Sequence, residues 1–279
     1  MKREQKRSME YLISIANLNS IISQDPIKKQ KRILIVDTRP FKDYLDGHIP
    51  GSINLDFMQF HWLDTSRTGI KQFNRQSRQL LTNIGVWGKD RVIFYDDTSG
   101  PSAARGLWLL LYFSYSNVAI LDGGFSKWKE IGYRIEKPTN KFEYSKFLGK
   151  VNPRVLATSN EIVSGMKAGK TGKVSIIDTR SKAEFDGIVV RGGRKGHIPN
   201  AIHLDWNENL TRGIFKPFAD LERVYSDIPK NNEIIAYCQG GYRAANTFLA
   251  LRLLGYKKVK VYLGSWGEWS SLYKLPVEN

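Results

Sequence analysis

The chain contains two copies of one pattern, and this constrains the fold more than any other feature of its 279 residues. The stretch "DTRPFKDYLDGHIPGSINLDF" (37–57) is answered by "DTRSKAEFDGIVVRGGRKGHIPNAIHLDW" (178–206). Both open on Asp-Thr-Arg, and both carry Gly-His-Ile-Pro before a short apolar alternation. Further on, "RVIFYDDTSGPSAARGLWLLLYF" parallels "EIIAYCQGGYRAANTFLALRLLGY", and "VAILDGGFSKWKEIGY" parallels "VKVYLGSWGEWSSLY". Asp37 answers Asp178, Tyr95 answers Tyr237 and Trp128 answers Trp269, at offsets of 141, 142 and 141 residues. Motifs that recur in one order over such a distance mean two copies of one domain. The length agrees, since single cores seldom grow past about 250–300 residues. The first domain is expected over 1–137, the second over 156–279, and a linker over 138–155. The linker region has prolines at both ends and little apolar periodicity.

Each copy alternates strand and helix signals. "RILIVDTR" and "VSIIDTR", "RVIFYD" and "EIIAYC", "VAILDGG" and "VKVYLGS" are short apolar, β-branched runs of the kind buried strands require. Helical patterns lie between them. "AANTFLALRLLGY" is one, with Gly255 placed to stop it. The expected fold class is α/β: two domains, each a mainly parallel sheet with helices on both faces.

Composition narrows the function. Apolar residues make up 41% of the chain, enough for two cores. One cysteine permits no internal disulfide and no cysteine-rich metal site. The four histidines, His48, His61, His197 and His203, lack zinc-ligand spacing, so no metal and no cofactor is expected. The basic start, "MKREQKRSMEYLISIANLNSII", has an apolar part broken by Ser and Asn and no small-residue cleavage site. No run is long and apolar enough for a membrane span, so a cytoplasmic protein is expected. The formal charge of +16 attracts anions but does not name one. The Lys and Arg residues are scattered and no nucleic-acid motif accompanies them, which reads as a solvated basic surface.

The single cysteine, Cys238, ends "EIIAYC" and precedes Gln239, Gly240, Gly241, Tyr242 and Arg243, with a helix expected about six residues on. Ligands of open parallel sheets bind at the carboxyl ends of strands. Glycines let backbone N–H groups form a concave nest, and a helix start adds partial positive charge. Such a setting favours the nucleophilic thiolate over an inert, buried thiol. The first copy carries Asp96 at the matching place, in a loop one residue longer to the paired alanines. A carboxylate cannot do thiolate chemistry, so the duplication left one half with a nucleophile and one without.

On these motifs the chain resembles the two-domain rhodanese family of sulfurtransferases along nearly its whole length. The resemblance rests on Asp-Thr-Arg after a strand, Gly-His-Ile-Pro, the Cys238 loop, and "LDGGFSKW" with its counterpart "LGSWGEW". It implies an inactive N-terminal domain and a catalytic C-terminal one. It further implies that Cys238 takes sulfane sulfur from a small anionic donor and passes it, as a persulfide, to cyanide or a thiol. The loop from Gln239 to Arg243 then cradles the transferred sulfur. Thiosulfate is favoured over 3-mercaptopyruvate, because the family's mercaptopyruvate enzymes tend to carry a short Cys-Gly-Ser/Ala-Gly loop and "CQGGYR" does not.

A second basic element, "DGIVVRGGRKGHIP", adds eight residues between Asp-Thr-Arg and Gly-His-Ile-Pro relative to the first copy. It carries Arg191, Arg194 and Lys195, and Arg191 is the candidate for meeting substrate. Asp37, Arg39, Asp178 and Arg180, with His48 and His197, occur in both halves and read as structural. The tryptophans, at 62, 87, 108, 128, 206, 266 and 269, read as mostly core and domain-interface packing. Other functional classes stay open. A cysteine phosphatase needs five residues between Cys and Arg, and here there are four. A persulfide relay protein would use the same cysteine. A plain anion-binding scaffold would not need it.

Overall fold

The structure, a computed structural model, describes residues 9–23, 32–57, 60–167 and 174–279. The basic residues 1–8, part of the N-terminal segment weighed as a leader, lie outside these. The chain divides into two compact units, formed by the described parts of 1–60, 74–151 and 211–215, and of 61–73, 152–210 and 216–279. Among the described residues no helix is long and apolar enough to cross a membrane.

The first unit holds β1 (Leu12–Ile13), β2 (Ile33–Asp37), β3 (Ile53–Asn54), β4 (Arg91–Tyr95) and β5 (Val118–Leu121), in the order β1-β5-β4-β2-β3. In the second, β6 (Leu156–Ala157), β7 (Val174–Asp178), β8 (Ile202–His203), β11 (Glu233–Tyr237) and β12 (Val259–Tyr262) run β6-β12-β11-β7-β8. A two-stranded ribbon, β9 (Leu210–Thr211) and β10 (Ile214–Phe215), lies between β8 and β11 in the chain. All pairings in the two large sheets are parallel, and helices flank both. Parallel sheets are covered on both faces, which is why their central strands are continuous apolar runs. After its first residue each of β2, β4, β7 and β11 is fully buried.

The copies repeat down to register. Tyr95 sits opposite Asp37, and Tyr237 opposite Asp178. The core of the first unit includes Ile35, Ile93, Tyr95, Phe125 and Trp128. That of the second includes Ile176, Ile235, Tyr237, Trp266 and Trp269. Trp108 is also buried, so four of the seven tryptophans are core, while Trp87 is exposed.

The Asp-Thr-Arg motif does the same structural task twice. Arg39 Nε and Nη2 donate to Asp37 at 3.0 and 2.5 Å, and Nη2 also donates to the Gly47 carbonyl at 2.8 Å. Arg180 bonds Asp178 at 3.0 and 2.6 Å and the Gly196 carbonyl at 2.8 Å. Thr38 and Thr179 hydroxyls donate to the carbonyls of Tyr95 and Tyr237. His48 and His197 stack on Tyr44 and Phe185, with ring centroids 3.7 Å apart in both copies. Each donates from Nδ1 to the carbonyl of its stacking partner. These histidines fix a turn.

A buried ion pair that loses one member leaves an uncompensated charge, at a cost of about 3–5 kcal/mol. Arg39→Met strands Asp37 in this way. It should lower the urea midpoint of the first unit by the equivalent of about 3–5 kcal/mol. A loss below about 1 kcal/mol would mean that Asp37 is satisfied by other donors.

Candidate active site

Cys238 follows β11 directly and is 1% exposed. The chain then turns at Gly241, whose φ of +84° suits glycine and strains other residues. Gly241 is the N-cap of the helix Tyr242–Leu253. Tyr242 and Arg243 therefore lie in the first helical turn, and the helix starts earlier than its apolar pattern indicates. It ends where expected, with Gly255 at φ +83° just past the cap.

The loop is locked on both sides. The Gly241 N–H donates to Cys238 Sγ at 3.1 Å. The Cys238 N–H donates to Ser265 Oγ at 3.2 Å, and that hydroxyl donates to the Tyr262 carbonyl at 2.8 Å. From the start of the helix Ser265–Ser271, the N–H groups of Trp266 and Gly267 donate to the carbonyls of Cys238 and Gln239, both at 2.9 Å. The sulfur thus sits at a helix start, facing an N–H group, where negative charge is stabilised.

Arg243 supplies a full positive charge. Its Nη1 and Nη2 donate to Glu184 Oε2 and Oε1 at 2.6 and 2.9 Å. Glu184 also accepts from the Ser181 N–H and hydroxyl, completing a capping box on the helix Lys182–Phe185. Burial alone would push the Glu184 pKa up, but Arg243 and Ser181 outweigh it and hold it at about 2. Burial likewise opposes the charge on Arg243. The bond to Glu184 and the nearby Cys238 sulfur overcome this and raise its pKa. The guanidinium is fixed as a cation beside the sulfur.

The other expected residues separate. The Arg191 side chain is 64% exposed, with Nε 3.8 Å from Glu184, and its carbonyl accepts from Gln239 Nε2 at 3.2 Å. Arg194 instead points inward and spends four of its five N–H groups on the carbonyls of Trp269, Ser270, Leu272 and Leu275. Lys195 is exposed. Sequence reasoning missed Glu184, although Ser181-x-x-Glu184 is a legible capping box. It also missed His61, whose ring lies 5.2 Å from that of Tyr242, and Thr65, which bonds the buried Glu268. Among the described residues no cluster of His, Cys, Asp or Glu is placed to hold a metal ion.

In the first unit the nest is filled from within. The Asp96 carboxylate accepts N–H groups from Thr98, Gly100, Ser102 and Ala103 at 2.9–3.2 Å. Burial pushes its pKa up to about 6 against those bonds. Counted from the paired alanines, Ser102 stands where Arg243 does, so the cation is gone as well.

The Glu184 pKa of about 2 lies below its ordinary 4.5, so the group stabilises the fold fully above the ordinary value and loses this as pH falls through the lower one. Between about pH 5 and pH 2 the native chain should lose on the order of 2 kcal/mol more than Glu184→Gln does. Urea midpoints across that range measure the difference. Parallel curves would contradict the pairing.

Comparison with known proteins identifies the family and the fold. The rhodanese-like domain profile matches twice, at residues 23–131 and 160–272. A thiosulfate sulfurtransferase of Corynebacterium glutamicum is 30% identical over 250 residues, covering 84% of this chain and 80% of its own. A 3-mercaptopyruvate sulfurtransferase of Escherichia coli K12 is 29% identical over 247 residues, covering 87% of each chain. Among solved structures, a crystal structure of YnjE superposes with a TM-score of 0.79 at 24% identity, over 98% of this chain and 69% of that one. The wild-type structure of EanB does so at 0.81 and 20%, over 98% and 70%. Two matched domains, repeated in sequence and in sheet order, establish that this chain belongs to the rhodanese family.

Proposed function

We propose that the chain is a sulfurtransferase that moves sulfane sulfur from thiosulfate to cyanide or a thiol through a persulfide on Cys238. The observation that carries this reading is the buried sulfur, held between the Gly241 N–H and a guanidinium that Glu184 clamps. The relatives named as sulfurtransferases support the reaction class.

In the first half-reaction the Cys238 thiolate attacks the outer sulfur of thiosulfate. The S–S bond of the donor breaks, and its electron pair leaves on sulfite. The product is Cys238–S–S⁻, and total charge is unchanged. The N–H groups from Gln239 to Arg243 are suited to hold the new terminal sulfur, and Arg243 opposes the charge that builds as two anions meet. In the second half-reaction cyanide attacks that sulfur and departs as thiocyanate, returning the thiolate. A thiol acceptor reacts in the same way. The first domain supplies no nucleophile, since Asp96 fills its own nest. The lone thiol suits a reducing, cytoplasmic location.

The Escherichia coli relative makes 3-mercaptopyruvate the alternative donor. Arg243, held as a cation, favours a dianion. Thiocyanate formation should therefore show a kcat/KM for thiosulfate at least about tenfold above that for 3-mercaptopyruvate. Cys238→Ser should abolish both activities. Arg243→Gln should cost thiosulfate at least about tenfold, as expected when a charge-assisted contact is lost. Turnover with mercaptopyruvate alone would transfer the assignment to the alternative. Activity surviving in Cys238→Ser would remove the persulfide.

A further inference from the structure

The eight residues inserted in the second copy build a surface that a small dianion does not need. The underlying frame is the same in both copies, since Arg39 closes on Gly47 and Arg180 on Gly196 with equal bonds of 2.8 Å. The insertion stands on that frame and is held at both ends. On the outgoing side the N–H groups of Ile188 and Val189 both donate to the Ala183 carbonyl at 2.9 Å. On the return side Arg194 bonds four carbonyls, and the Gly193 N–H donates to Ser270 Oγ at 3.1 Å.

Between these clamps Ile188, Val189 and Val190 are 76%, 41% and 55% exposed. Three consecutive β-branched apolar residues held out by a fixed loop are a costly surface unless something covers them. The tip reaches the site directly, because the carbonyl of the next residue, Arg191, takes the Gln239 side-chain bond. A second exposed apolar residue, Leu63, adjoins Gln239 from another direction. A Cβ placed on Gly267 would lie 2.8 Å from Leu63 Cδ2 and 3.0 Å from the Gln239 carbonyl oxygen. Apolar groups thus flank the residue that follows Cys238, while thiosulfate and cyanide are hydrated anions with no use for them.

We propose that Ile188–Val190 and Leu63 form a docking surface for a peptide segment of an acceptor protein, one that presents its thiol among apolar and acidic side chains. The acidic character follows from charge. Arg191 and Lys195 are the exposed cations of the insertion, on a chain of net charge +16, and Arg194 is already occupied. The proposal rests on the Cys238 sulfur-transfer reading and names its acceptor class. The acceptor thiolate attacks the outer sulfur of the Cys238 persulfide. The S–S bond breaks, its electron pair returns to Cys238 as thiolate, and the acceptor leaves as a persulfide. No oxidant or reductant is consumed.

The test uses two synthetic cysteine peptides, one flanked by Leu and Glu and one by Ser and Lys. Cys238 is loaded from inorganic polysulfide and the persulfide verified by mass, so the thiosulfate assignment is not needed. The Leu/Glu peptide should discharge the persulfide at least about tenfold faster. The double variant Ile188→Ser, Val190→Ser should erase most of that preference while cyanide discharge is unchanged, and Ile188→Gln provides a second variant. Equal rates for the two peptides, or a preference that survives in both variants, overturn the proposal. So does binding to anionic vesicles that the same variants abolish without any peptide preference, which would assign the surface to a membrane. A failure to form any persulfide from polysulfide or thiosulfate overturns the underlying reading and this proposal with it.

Discussion

The buried pair of Asp178 and Arg180 is the interaction on which the second unit's site depends. It closes the end of β7 and, through the Gly196 carbonyl, pins the point where the inserted loop rejoins the chain. Immediately after it, Ser181 caps a short helix that carries Glu184. Glu184 then sets Arg243 beside Cys238. Such a pair contributes little net stability over an apolar replacement, but losing one member is expensive. Its value here is positional, since it ties the end of β7 to the returning loop at Gly196 in one fixed corner.

The same corner in the first unit shows what the frame does without the chemistry. Asp37, Arg39, His48 and Tyr95 reproduce the bonds of their counterparts. What differs lies at the mouth. A carboxylate takes the N–H groups that a sulfur anion would want, and Ser102 stands where Arg243 does. Counted from Asp-Thr-Arg, the first copy keeps a carboxylate, Asp43, at the place of Glu184, so what it lacks is the cation that Arg243 supplies. The duplication thus separates residues that keep the fold from those that bear on reactivity.

Much of this was legible in the residues. Apolar β-branched runs gave the central strands, because both faces of a parallel sheet are buried and the signal is continuous. The edge strands are two residues each, too short for any periodicity. The helix after the loop begins at Tyr242 because Gly241 turns the chain, and polar first-turn residues conceal that start. Cys238 was legible because it is the chain's single cysteine and lies at a strand-to-helix turn. The clamp on Arg243 was not, since Glu184 is 59 residues distant in sequence and only the fold brings the two together. Nor did charge count reveal that Arg194 faces inward to carbonyls while Arg191 faces outward. The grouping of residues 61–73 with the second unit has no local signature at all.

The central claim is that the Cys238 sulfur carries a transferable sulfur atom. The most direct measurement is the mass of the intact protein before and after incubation with thiosulfate, with Cys238→Ser alongside. The account predicts a gain of one sulfur atom on the native chain, discharged by cyanide and absent from the serine variant. An unchanged mass on the native chain, or the same gain on the serine variant, would contradict it.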